Sequence, residues 1–304
     1  MAARSQEEAS MQAGAGGRRQ LCDRSGPTGR SRRPGQSDRL QSSREHEAFL
    51  RGLTRRRILV ATARAVLLAA FVLLWEVAAR QGWINAFVVS QPSRALATAV
   101  SMARRGELWL HLGMTVGETA AGFTVGTLIG IVAAVMLWWS DLLSDILDPY
   151  IVVLNSIPKV ALGPIFIVWL GTTVTAIIAM AISISVIVTI MMVYVGFREA
   201  DPDRVKLLRT FGATRLQILS KVVLPASVPV MIAALKVNVG LSMVGTIVGE
   251  FLVSKAGLGF LIVYGGQVFN MSLVMSSVIL LSIVSVLLYY GVSALEQAVL
   301  RTRG

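Results

Sequence analysis

Residues 201–225, DPDRVKLLRTFGATRLQILSKVVLP, form a polar, basic stretch between two long apolar runs. Asp201 is a residue type that caps helices, and Pro202 suits the first helical position, where its missing N–H costs nothing. Val205, Leu208 and Phe211 recur about every three residues and predict one apolar helical face. Gly212 stands where a helix would end in a left-handed residue. Thr214 and Gln217 have the spacing of a capping box that starts a second helix. Leu224-Pro225 predicts the end of that helix, with Ser227 and Pro229 opening the next apolar span. A simple reversal between two spans needs only a handful of residues. A helix–glycine–helix of this length predicts an ordered platform outside the lipid that docks a soluble partner.

The rest of the chain explains why lipid is the reference. Of 304 residues, 54% are hydrophobic and 15% charged, and the mean hydropathy is +0.67. Those values belong to an integral membrane protein. A crossing needs about 20 mostly apolar residues, and six runs qualify, near 58–79, 116–139, 146–170, 174–195, 229–253 and 273–295. Only helices or closed barrels satisfy their backbone in lipid. Because no run alternates, the expected fold is an all-α integral membrane protein with six transmembrane helices and the helix–Gly–helix loop between the fourth and fifth. Arg51, Arg55, Arg56 and Arg57, the platform's cations, and Arg301 and Arg303 then share one side, which the positive-inside rule makes cytoplasmic. Arg80, Arg94, Arg104 and Arg105 fall on the other side and run against the rule. The predicted organisation is a basic, disordered tail over 1–57, an extra helix with its connection over 58–91, and a transport domain over 92–300.

The tail is rich in Arg, Ser, Gly and Gln and too poor in large apolar residues to fold alone. Much of the net charge of +12 lies there. It suits contact with anionic lipid better than with nucleic acid. Cys22 is the single cysteine, and His46 and His111 are the two histidines, so no disulfide or metal motif is present. Nor is there a nucleophile–His–acid set or a G-x-x-x-x-G-K-[ST] loop, so ATP, if used, is bound by another polypeptide. These absences argue against an enzyme and against a resident cofactor.

With Gly212, Val222, Leu224 and Pro225 at their spacing, the platform resembles the cytoplasmic loop of ABC importer permeases, which docks on the ATPase subunit. In that family the glycine follows a Glu-Ala-Ala by six positions from the glutamate; here Lys206-Leu207-Leu208 occupies those places, and Glu199-Ala200 is out of register. FGATRLQILSKVVLPASVP looks like the nitrate/sulfonate/taurine-type branch. So does IPKVALGP followed by Trp169 and Gly171. The resemblance covers about residues 92–298. It implies a permease subunit in the plasma (inner) membrane, with both termini cytoplasmic. Its partners would be two copies of a cytoplasmic ATPase, an extracytoplasmic solute-binding protein, a second permease copy and the membrane lipid. It also implies alternating access driven by ATP. The implied solute is a small nitrate-, sulfonate- or taurine-like anion; the alternative is a vitamin precursor such as a pyrimidine. An ion-coupled secondary transporter would need an inverted repeat and a coupling-ion site, and neither is visible. The coupling residues implied are Asp201, Arg204, Val205, Lys206, Leu208, Arg209, Phe211, Gly212, Thr214, Arg215, Leu224 and Pro225, with Val205, Leu208 and Phe211 as apolar anchors.

Ionisable and irregular positions inside spans are candidates for the translocation path. Pro158 and Pro164 break regular bonding around Lys159, which either attracts an anion or snorkels or pairs with a neighbouring helix. Lys236 lies about 10 Å into the fifth span at 1.5 Å per residue, within snorkelling reach. Asn238 either lines the path or joins helices, and Glu250 serves the outer segment GEFLVSKAGLGFLI structurally or in transport, with Gly257 and Gly259 allowing a tight turn. Arg64 and Glu76 read as interface anchors, and Trp138, Trp139 and Trp169 as belt residues. Gly113, Gly117, Gly122, Gly126 and Gly130 make a small-residue face for close packing within the subunit or at a dimer seam.

Overall fold

The computed structural model describes residues 36–301, and among them no strand occurs. The chain divides into two units, Met1–Leu67 and Leu68–Gly304. Helix α1 (Gln36–Arg80) runs through that boundary. It is followed by α2 (Ala86–Val89), α3 (Pro92–Arg105), α4 (Glu107–Trp139), α5 (Asp141–Ser156), a 3-10 turn (Lys159–Leu162) and α6 (Gly163–Leu170). Then come α7 (Val174–Arg198), α8 (Pro202–Thr210), α9 (Arg215–Ile218), a π-turn (Leu219–Val223), α10 (Leu224–Val253), α11 (Leu258–Gln267) and α12 (Met271–Arg301). Five stretches are long and apolar enough to cross a membrane: Ile58–Arg80, Glu107–Trp139, Val174–Arg198, Arg215–Val253 and Met271–Gln297. The bent pair Asp141–Ser156 and Lys159–Leu170 makes a sixth if counted as one span.

Three boundaries differ from the sequence reading. Residues 1–35 of the expected tail lie outside the described residues, but 36–57 belong to α1 rather than to a disordered tail. A nucleated span helix can propagate through Arg, Leu, Glu and Gln without paying for a new nucleus. The second span starts at Glu107, where Gly106 (φ 81°) ends α3 and turns the chain. The third span is not straight: its two halves meet at 89° around Ile157-Pro158. Pro149, by contrast, is carried inside α5.

The centre of the second unit is a three-helix seam of α4, α7 and α10. Gly122, Gly126 and Gly130 of α4 lie against Ala181, Ser185 and Thr189 of α7, leaving no room for a Cβ. From the other side Gly245 of α10 meets the backbone of Ala181, and Gly249 that of Ile177. Such small-residue contacts are how helices gain dispersion energy in lipid, where apolar burial alone drives little association. The glycine face therefore works within the subunit for three of its five members; Gly113 and Gly117 have open space beside them. Asn238, wholly buried, ties the same three helices: its Nδ2 donates to Thr127 Oγ1 on α4 (3.2 Å) and to Thr189 Oγ1 on α7.

Candidate functional site

The platform follows its sequence signals closely at the helix ends. Asp201 accepts from the backbone N–H of Asp203 (2.9 Å), and Pro202 opens α8. Gly212 has φ +74°, a conformation that carries no Cβ penalty in glycine. Thr214 and Gln217 complete the capping box: Thr214 N–H donates to Gln217 Oε1 (2.8 Å), and Gln217 N–H to Thr214 Oγ1 (3.4 Å).

Two readings need correction. The second platform helix does not stop at Leu224-Pro225. It passes through the π-turn into α10, and Pro229 is interior to α10 rather than its start. The π-turn supplies the reason. Leu224 N–H bonds to Leu219 O, one residue further back than in an α-helix, so the ladder is already reset where Pro225 brings no donor. Second, Val205 and Leu208 do not face outward. They pack on a cluster of Ala134, Val193, Phe197, Ile218, Leu219 and Val223 from α4, α7, α9 and the π-turn. Helical periodicity identifies an apolar face without saying which neighbour covers it. Phe211 (78% exposed) does project, and with it Leu207 (57%) and Leu216 (63%), which the sequence reading passed over. Leu207 and Phe211 are one turn apart, and that i, i+4 spacing is the signal that marks them.

Ser227, buried one turn into α10, donates to Gly196 O of α7 and to Val223 O, each at 2.8 Å. Gly196 in turn leaves space for Val230. The end of α7, the platform and the start of α10 thus share one packed base.

A second polar constellation sits at the α10–α11 turn. Glu250, 1% exposed, accepts from Thr115 Oγ1 (2.6 Å) and from Gly259 N–H (2.5 Å), and also from Phe260 N–H. Thr115 Oγ1 accepts from Leu258 N–H (2.8 Å), and His111 Nδ1 from Gly257 N–H (3.0 Å). All the leading N–H groups of α11 are therefore satisfied by side chains of α4 and α10. Gly257 has φ +124°, and a Cβ at Gly259 would fall 2.7 Å from Glu250 Oε2, so the second glycine supplies space rather than a turn. Glu118, 3% exposed, faces Glu250, and its oxygens find no donor among the described residues. His111, Thr115 and Glu118 were not singled out with Glu250 from the sequence. Their spacing along α4 is that of one helix face, which is the available signal. Among the described residues no three His, Cys, Asp or Glu side chains gather as metal ligands.

The other path candidates scatter. Lys159 Nζ donates to Asn155 O (2.8 Å) and Asn155 Oδ1 (3.3 Å), closing the end of α5 beside Pro158, while Pro164 opens α6. Lys236 pairs with Glu296 of α12 at 2.6 Å, a partner the sequence reading did not supply. Glu76 holds the start of α3 through Ser93 N–H (3.1 Å) and Ser93 Oγ (2.8 Å), and pairs with Arg80 (2.7 Å).

A sequence model of the family described as "Binding-protein-dependent transport system inner membrane component" matches residues 126–302. The putative aliphatic sulfonates transport permease protein of Bacillus subtilis is 28% identical over 240 residues, 77% of this chain and 85% of that protein. The formylaminopyrimidine transport permease protein of Halalkalibacterium halodurans is 24% identical over 230 residues, 76% of this chain and 91% of that protein. A solved inward-facing form of the MetNI methionine ABC transporter superposes with a TM-score of 0.55 at 22% identity, covering 61% of this chain and 93% of its own, a likeness of fold. Helical architecture, platform and sequence agree: the chain belongs to the family of binding-protein-dependent transport system inner membrane components, the permease subunits of ABC importers.

Proposed function

We propose that this permease carries a small sulfonate-like anion across the inner membrane, powered by a separate ATPase subunit that docks on the platform from Asp201 to Lys221. The observation that carries the docking reading is the platform's construction. Phe211, Leu207 and Leu216 project from a body whose remaining apolar residues are packed against α4, α7 and α10. Its second helix is continuous with α10 through the π-turn, so a pull on the platform reaches a membrane-spanning segment without crossing a flexible joint. Two permease copies would surround the path, and an extracytoplasmic binding protein would deliver the solute. ATP-driven closure of the ATPases would rock the copies between inward and outward access. Both termini would be cytoplasmic.

The substrate class rests on the sulfonate-transport relative in Bacillus subtilis. The pyrimidine-transport relative in Halalkalibacterium halodurans keeps a vitamin precursor as the second reading. Among the path candidates, Lys159 stands at the proline break of the bent span. Asn238 and Glu250 are buried in helix contacts, and Lys236 is ion-paired. Lys159 is therefore the residue proposed to meet an anion.

The test is Phe211→Asp in the full chain, co-expressed with its ATPase. Loss of ATPase co-purification and of solute uptake, with normal insertion, is the expected result. Unchanged docking and uptake would overturn the platform reading.

A further inference from the structure

The platform closes over a cavity of about 290 Å³ between the α4–α5 turn and the end of α7. Arg198, Lys206, Arg209 and Arg215 line it, and Asp141 is the one acid among its lining residues. The cations are poorly served. Arg215 donates to the Trp139 carbonyl, and Arg198 lies 5.9 Å from the Tyr194 ring centre and donates to its hydroxyl at 3.5 Å. Lys206 reaches Asp203 at 3.5 Å, with both side chains largely exposed. The Arg209 side chain makes no ion pair or hydrogen bond with any described residue. Lys206 and Arg209 also stand three positions apart on α8, where like charges oppose each other. Over the whole stretch 198–221, six cations (adding Arg204 and Lys221) face three acids, Glu199, Asp201 and Asp203.

The geometry points to an acidic partner surface: the ATPase that this permease takes presents carboxylates to the cavity mouth at Lys206 and Arg209, beside an apolar groove for Phe211. This rests on the docking reading above and adds the partner's charge to it. Two observations select a protein carboxylate as occupant. Lys206, Arg209 and Arg215 share the platform with the exposed apolar side chains Leu207, Phe211 and Leu216, so the matching surface combines apolar and acidic groups. The cavity is also small, about 290 Å³, and its buried lining is apolar, made by Phe197, Ile218 and Val223. Charges placed this way govern encounter and partner choice, and their effect is screened by salt.

The experiment uses the full-length permease in nanodiscs of zwitterionic lipid with its own purified ATPase. Binding is titrated across sodium chloride concentrations. Affinity should fall steeply with salt, and the double variant Lys206→Glu/Arg209→Glu should weaken it about tenfold at low salt and flatten the dependence. The neutral pair Lys206→Gln/Arg209→Gln should fall between, a check that the reversal has not merely disrupted α8. A carbodiimide, which joins an amine to a carboxylate only in direct contact, should link Lys206 to an Asp or Glu of the ATPase. Changing that acid to Lys should restore binding to Lys206→Glu. Salt-independent binding that ignores both double variants, while Phe211→Asp still abolishes docking, would overturn the charge inference and leave the docking reading standing. Retention of binding by Phe211→Asp would instead defeat the docking reading itself. Charge variants that alter only partition onto phosphatidylglycerol vesicles, with ATPase affinity unchanged, would assign the cations to lipid and also overturn the proposal.

Discussion

Replacing Glu250 by Ala removes the acceptor from three donors at once: Thr115 Oγ1, Gly259 N–H and Phe260 N–H. The site is closed to solvent, so water does not step in. Each buried donor left unmade costs about 1–3 kcal/mol. The two backbone groups cannot rotate away, although the Thr115 hydroxyl can. The two backbone groups together then cost about 2–6 kcal/mol, from the common range of single-substitution effects to beyond it. Glu250→Gln keeps one oxygen but turns an amide NH₂ toward groups that are themselves donors, so about half that loss is expected. Glu118→Gln is the internal control. Glu118 is as buried as Glu250 and lies against it, yet accepts from no described donor, and an amide at 118 would donate to the Glu250 carboxylate. It should melt within about 1 kcal/mol of wild type, since the amide keeps the hydrogen bond that Glu118 makes to Glu250. Thermal unfolding of the detergent-solubilised protein, followed by loss of the size-exclusion peak, ranks the three variants. If Glu250→Ala melts with the wild type, or Glu118→Gln falls as far as Glu250→Ala, the bonding scheme at the α11 start is wrong.

The seam of α4, α7 and α10 gives a second contrast. Gly245→Ala would put a methyl 2.5 Å from Ala181 Cα, and should destabilise by about 1–3 kcal/mol; Gly240→Ala, with nothing within 4 Å, should be neutral or gain up to about 1 kcal/mol from helix propensity. The same unfolding assay would show whether that order holds. Asn238→Leu removes the side chain joining three helices and should cost about 1–3 kcal/mol, from two hydrogen bonds that average about 0.6 kcal/mol each in membranes and a poorly fitting shape. A tolerated Asn238→Leu with impaired uptake would instead place Asn238 in the path. Lys236 and Glu296 are about a quarter exposed, so a double-mutant cycle should find only a weak coupling that fades as salt is raised. Lys159→Met should lower anion uptake in cells while leaving insertion unchanged, and unaltered uptake of every sulfonate and nitrate tried would remove Lys159 from the path.

What the sequence discloses here depends on how far apart the partners lie. Helix ends are local, and so Asp201, Gly212, Thr214 and Gln217 could be assigned from neighbours a few positions away. The places of the spans are legible for the same reason, but not where the second and fifth begin. The α11 anchor is not: Thr115 and Glu250 are 135 positions apart, and His111 and Gly257 are 146 apart. A polar face on an apolar helix announces that a partner exists without naming it. Proline shows a subtler limit. Pro158 sits at a sharp bend, whereas Pro225 is absorbed, because the π-turn before Pro225 has already displaced the hydrogen-bond register. No composition rule separates the two.

The same register shift bears on how movement can enter the membrane-spanning part. For α8 to swing independently, Val205 and Leu208 would have to leave Phe197, Ile218 and Val223, re-exposing several large side chains at about 1.5–3 kcal/mol each. For α9 to move without α10, the continuous helix would have to break at the π-turn, and Ser227 would lose its bond to Gly196 O. Both losses exceed those of carrying the base as one body, since the contacts between α8, α9 and the ends of α7 and α10 are then kept. Compliance is instead available at the 89° break between α5 and α6, where Pro158 leaves the ladder interrupted, whereas the Ser254–Gly257 turn is held by the bonds of Glu250, Thr115 and His111. A force applied at Phe211 would therefore rotate α7 and α10 together, with their glycine seam intact, and the bending would fall on the interrupted segment between α5 and α6.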